Sequence, residues 1–92
     1  MFIVRNSFIA KPGQAGKLAA TLKEVAAMLS NARVLTDVTG PFNHVVMEHE
    51  TENIAEFEAR MQQYMNDPEV RAKMKGYTDL WLTGSREIYR VY

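Results

Sequence analysis

Apolar positions along the chain switch between two spacings, and each switch predicts a new element. Residues 2–10 (FIVRNSFIA) are rich in β-branched and aromatic types, which predicts a first strand. Phe2, Val4, Asn6, Phe8 and Ala10 share one face of it, and Ile3, Arg5, Ser7 and Ile9 the other. Lys11-Pro12-Gly13 ends the strand. Over residues 14–31 the spacing becomes helical, with Leu18, Leu22, Val25 and Leu29 on one stripe that Met28 widens. Asn31 suits the left-handed end of that helix.

A hairpin over residues 33–50 (RVLTDVTGPFNHVVMEHE) follows, turning at Gly40-Pro41 because Pro41 has no N–H to give a ladder. The alternation puts Val34, Thr36 and Val38 on one packed face and Leu35 on the other. Asn53 and Glu56 have the spacing of a capping box. The stripe Ile54, Phe57, Met61, Tyr64 and Met65 then marks a second helix. Asp67-Pro68 opens a short helix, 69–75, that buries Val70 and Met74, with Gly76 as its C-cap. Residues 80–92 (LWLTGSREIYRVY) are the last strand, expected to be interrupted at Gly84-Ser85.

The order β-α-β-β-α-β is the split-βαβ, ferredoxin-like pattern, an α+β fold with a four-stranded antiparallel sheet and its helices on one face. Strands apolar on both faces need two covering layers, and the helices supply one. We therefore expect a second copy of the chain to cover the helix-free face, giving a dimeric α+β barrel of eight strands.

Ninety-two residues bound this to one domain, 1–92, with a modest core. Eleven basic residues cancel eleven acidic ones, so the chain lacks the basic footprint of a nucleic-acid binder. With no cysteine, thiolate metal sites and cysteine nucleophiles are excluded. No apolar run approaches the roughly 18 residues of a membrane span. The N-terminus reads as a strand rather than a signal peptide, so a cytoplasmic protein without a membrane partner is expected.

Four strings carry a family resemblance: the first strand running into KPG, the hairpin RVLTDVTGPFNHVV, the NDPEV break, and SREIYRV. Together they resemble the bacterial NIPSNAP-like proteins of the dimeric α+β barrel superfamily, relatives of the antibiotic-biosynthesis monooxygenases. The resemblance spans nearly the whole chain. It implies a homodimer and brings no reaction with it. It also implies a role for Asn6, because related monooxygenases place an Asn of strand one against a cavity between sheet and helices. The haem-degrading members also need a His and a Trp from the second helical region. Phe57 to Lys75 holds neither, so haem is not expected, nor is any other cofactor.

The weak catalytic candidates are Asn6, His44 and Tyr64. Asn6 also reads as a buried polar group with satisfied hydrogen bonds. His44 and His49 lie five apart on one strand, on opposite faces, and cannot chelate one metal within a chain, so no metal is expected. The set Asn6, Phe8, Phe57, Met61, Tyr64 and Trp81 reads either as plain core or as the lining of an apolar pocket for a small apolar or aromatic ligand. Glu48, Glu50, Glu52, Glu56 and Glu58 read as a solvated acidic run. Arg86 and Arg90, on one strand face, could hold an anion or pair with those carboxylates across the dimer, and pairing is the expectation.

Two functions follow. One is a homodimeric binding module. The other is a cofactor-independent monooxygenase or isomerase for a small aromatic or polyketide-like substrate. A pocket of several hundred Å³ lined by Asn6 and a tyrosine favours the enzyme, and a filled core favours the module.

Overall fold

A computed structural model describes all residues, 1–92. The strands are β1 (Phe2–Ala10), β2 (Ala32–Thr36), β3 (His44–Thr51) and β4 (Trp81–Arg90). The helices are α1 (Ala15–Ala26), α2 (Ile54–Met65) and α3 (Pro68–Lys73), and a 3₁₀ turn spans Tyr77–Leu80. The strands lie in the order β2-β3-β1-β4, every neighbouring pair antiparallel. This is the ferredoxin-like α+β arrangement, and no helix is long and apolar enough to cross a membrane.

The α1 stripe buries Leu18, Leu22 and Val25 against Ala10, Val45 and Met47 of the sheet, and Val70 of α3 joins them. α1 ends at Ala26, before the expected residue 31. The next residues turn instead, and Asn31 takes the left-handed conformation expected of it (φ 59°). Asn53 caps α2 by accepting from the Glu56 N–H at 3.1 Å, while its own N–H donates to Thr51 Oγ1. Asp67 caps α3 through the Glu69 N–H, with Pro68 in the first turn. Gly76 has φ 79°, a left-handed position that removes the Cβ conflict just beyond α3.

The hairpin departs from its expected form. β2 stops at Thr36, and residues 37–43 are a loop rather than a tight turn at Gly40-Pro41. The Asp37 carboxylate accepts from the N–H groups of Phe42 (2.8 Å) and His44 (3.0 Å). A side chain thus satisfies donors that a ladder would have used. Val38 is fully exposed in that loop instead of packing with Val34 and Thr36. Leu35 lies on the opposite face from Val34, as alternation requires.

The last strand is not interrupted at Gly84-Ser85, which pair in register with Phe8 and Ser7. The irregularity falls where Ile9 pairs with Thr83 and Ala10 with Trp81, leaving Leu82 unpaired. Gly84 serves a close approach: a Cβ there would sit 3.1 Å from the Phe8 ring.

Candidate functional site

Register fixes which side chains share the helix-covered face. One row across the sheet reads Val34, Met47, Asn6, Arg86; the next reads Ala32, His49, Val4, Ile88. Helix α2 covers this face loosely. Only Phe57, in its first turns, is buried, set against the His49 ring with centroids 5.1 Å apart. Farther along, Met61, Tyr64 and Met65 stand off the sheet. Beneath them opens a cleft of about 380 Å³, walled mainly by apolar side chains. That volume falls in the range of small-molecule sites.

The cleft has an aromatic end and a polar end. At the first, Phe8, Tyr77 and Trp81 form a cluster with centroid separations of 5.3 to 6.4 Å. Gly84 lets those rings lie close over β4. The Trp81 Nε1–H is buried and has no hydrogen-bond partner, an unsatisfied donor in the cleft wall. At the polar end, Arg86 Nε donates to Asn6 Oδ1 at 2.7 Å, and His49 lines the same space. Burial, and then the nearby Arg86 charge, pull the His49 pKa down to about 4, so its imidazole is neutral at pH 7. The Tyr64 hydroxyl reaches the Met28 carbonyl over a long 3.5 Å contact.

Asn6, Phe8, Met61, Tyr64 and Trp81 are therefore brought together as the sequence suggested. Two expected members are not. Phe57 is buried behind the cleft, because its ring is what docks α2 on His49. His44 pairs with Ile9 and lies on the helix-free face, since its strand position has the opposite parity to Met47 and His49. Two residues were missed as members of this site, His49 and Arg86. Strand parity was the available signal: Arg86 and His49 fall on the Asn6 side once the register is known.

The acidic run also resolves. Within the chain, Glu48 pairs with Arg5 (2.7 Å) and Arg33 (2.9 Å). Burial alone would raise its pKa; hydrogen bonds from Arg33 and Arg5, with their charges, outweigh this and hold it below the usual carboxylate value. No group of three acidic or histidine side chains is placed to hold a metal ion.

Known structures share this architecture. A NIPSNAP family protein from Agrobacterium tumefaciens superposes with TM-score 0.87 at 12% identity, over 99% of this chain and 85% of that one. An uncharacterized NIPSNAP domain protein from Burkholderia xenovorans gives 0.83 at 13% identity, over 100% and 95% of the two chains. The chain has the NIPSNAP fold. A putative antibiotic biosynthesis monooxygenase from Chloroflexus aurantiacus has the same architecture more distantly, with TM-score 0.73 at 17% identity over 99% and 92%. At these identities the likeness to NIPSNAP proteins is one of fold. No protein-family model matches the chain, and neither does any curated protein.

Proposed function

We propose that the protein is a homodimeric module that binds a small apolar or aromatic molecule in the cleft between α2 and the sheet. The cleft itself carries this reading, with an aromatic cluster at one end and a polar group at the other. The dimer is supported by the uncovered sheet face, where Ile3, Ile9, Leu35 and Tyr89 lie beyond any helix. The slab is only 19 Å along its thinnest axis, the depth of a sheet and one helix layer. Native mass spectrometry of protein purified from its own host tests both parts. We expect a dimer that retains a small organic molecule; a monomer carrying nothing would sink the reading. A charge on the uncovered face, as in Ile9→Glu, should dissociate the dimer in the ultracentrifuge without unfolding the subunit.

One observation favours a second reading, a cofactor-independent monooxygenase or isomerase acting on an aromatic or polyketide-like substrate. The space is open rather than filled, and Asn6 and Tyr64 line it. The arginine and amide could orient a substrate and steady negative charge as it develops. The nearest imidazole, His49, is a weak base with its pKa near 4, so proton abstraction would fall to another group. Oxygen uptake, together with chromatography of the products for an isomerisation that consumes no oxygen, with a panel of polycyclic phenols and compared between wild type and Asn6→Ala, decides between binding and turnover.

A further inference from the structure

Arg86 is the one charged residue lining the cleft at neutral pH, because no Asp, Glu or Lys lies in its wall and His49 is neutral there. The arginine also makes no ion pair. The three ion pairs of the chain are Met1–Glu52, Arg5–Glu48 and Arg33–Glu48. Glu58 of α2 lines the adjoining surface groove with it without forming a bridge. The guanidinium is held instead by a neutral acceptor, Asn6 Oδ1, through Nε. That bond fixes the plane of the fork and leaves both Nη groups without a protein partner, the geometry that suits a carboxylate. Asn6 contributes its amide NH₂ as a further donor at the same end. The polar end of the cleft thus offers donors and a positive charge, and the other end offers the Phe8, Tyr77 and Trp81 rings.

We propose that the cleft selects an aromatic anion, a planar ring system bearing a carboxylate, with the ring among Phe8, Tyr77 and Trp81 and the carboxylate on Arg86 beside Asn6. The inference rests on the cleft reading above and narrows it to one ligand class. A neutral aromatic would leave the guanidinium facing an apolar neighbour, whereas an acid gives it the bidentate partner the protein withholds. A cationic aromatic would be repelled.

The probes are 2-naphthoate and its neutral counterpart 2-naphthamide, titrated into the ¹⁵N-labelled full chain. Trp81 is the only tryptophan, so a single indole N–H resonance reports from the cleft wall. We expect both probes to shift that resonance, with naphthoate binding about tenfold more tightly. Arg86→Gln should bring naphthoate down to the affinity of the amide and leave the amide unchanged. Arg86→Lys, which keeps the charge without the fork, should retain an intermediate preference. Equal affinity of the two probes for the wild type, or an equal loss of both in Arg86→Gln, would overturn the anion assignment and leave the cleft reading standing. If neither probe moves the Trp81 resonance, both readings fall.

Discussion

Two rows of side chains cross this sheet one residue apart, and they treat arginine in opposite ways. On the helix-free face the row reads Arg33, Glu48, Arg5, Glu87, alternating in sign across all four strands. Glu48, nearly inaccessible, takes hydrogen bonds from both arginines. Arg5 also lies 5.3 Å from the Tyr89 ring centre. On the helix-covered face the row reads Val34, Met47, Asn6, Arg86, and its single charge has only an amide for company. A row whose charges already satisfy one another can be covered at modest desolvation cost, as the proposed dimer requires. The Arg86 guanidinium, exposed to solvent, makes no ion pair within the chain. The same residue type is ion-paired on one side and free of ion pairs on the other, and its neighbours in register decide which.

The contrast can be broken hardest at the core. Leu18→Ala removes a fully buried side chain between α1 and the sheet. It should cost about 2–5 kcal/mol in urea unfolding. Leu35→Ala, on the uncovered face, should cost under about 0.5 kcal/mol in dilute monomer. Comparable costs for the two would mean the faces are not as different as described.

Next comes acid. His49 has a folded pKa near 4 against an ordinary 6.5, so between those values the unfolded chain binds a proton that the native chain refuses. Stability should therefore fall as pH drops from 6.5 to 4 and level off below, by at most about 3 kcal/mol. His49→Leu should flatten that part of the profile, measured by denaturant midpoints across pH.

Glu48 works in the same direction, at lower pH. Its depressed pKa adds stability at neutral pH that is lost as pH falls through the folded value, below the usual carboxylate range. Glu48→Gln should cost roughly 1–3 kcal/mol at pH 7, by leaving two guanidinium groups without their carboxylate. The gap from wild type should close at strongly acidic pH; a gap that stays constant would show that shape, not charge, sets its value. The smallest effect lies on neither face: Asn53→Ala should cost about 1 kcal/mol by removing the α2 cap, read as a small drop in melting temperature.

Much of this was legible in the residues. Helical stripes such as Leu18, Leu22 and Val25 needed only their own spacing, and the caps at Asn53 and Asp67 needed only local hydrogen-bonding chemistry. The hairpin loop was misread because Asp37, five and seven residues from the N–H groups it binds, acts through space rather than through a turn dipeptide. Gly84 was misread for a similar reason, since what it accommodates is the Phe8 ring on the neighbouring strand.

The candidate site divides along the same line. Asn6, Phe8, Met61, Tyr64 and Trp81 could be gathered from the sequence because each lies on an apolar stripe or in the middle of one. Phe57 lies on the same helical stripe as Met61 and Tyr64, yet one side chain docks the helix and the others line the space beneath it. No periodicity separates those roles; the contact of Phe57 with His49 on β3 does. The sequence alone determined the order of elements, their caps and the two-sided character of the strands, because those follow from local propensity and spacing. Only the tertiary structure decided that His49 and Arg86 join Asn6 while His44 does not, and that Arg5 and Arg33 answer Glu48 within the chain. Those outcomes depend on register between strands far apart in the chain, and a shift of one residue would have exchanged the two faces.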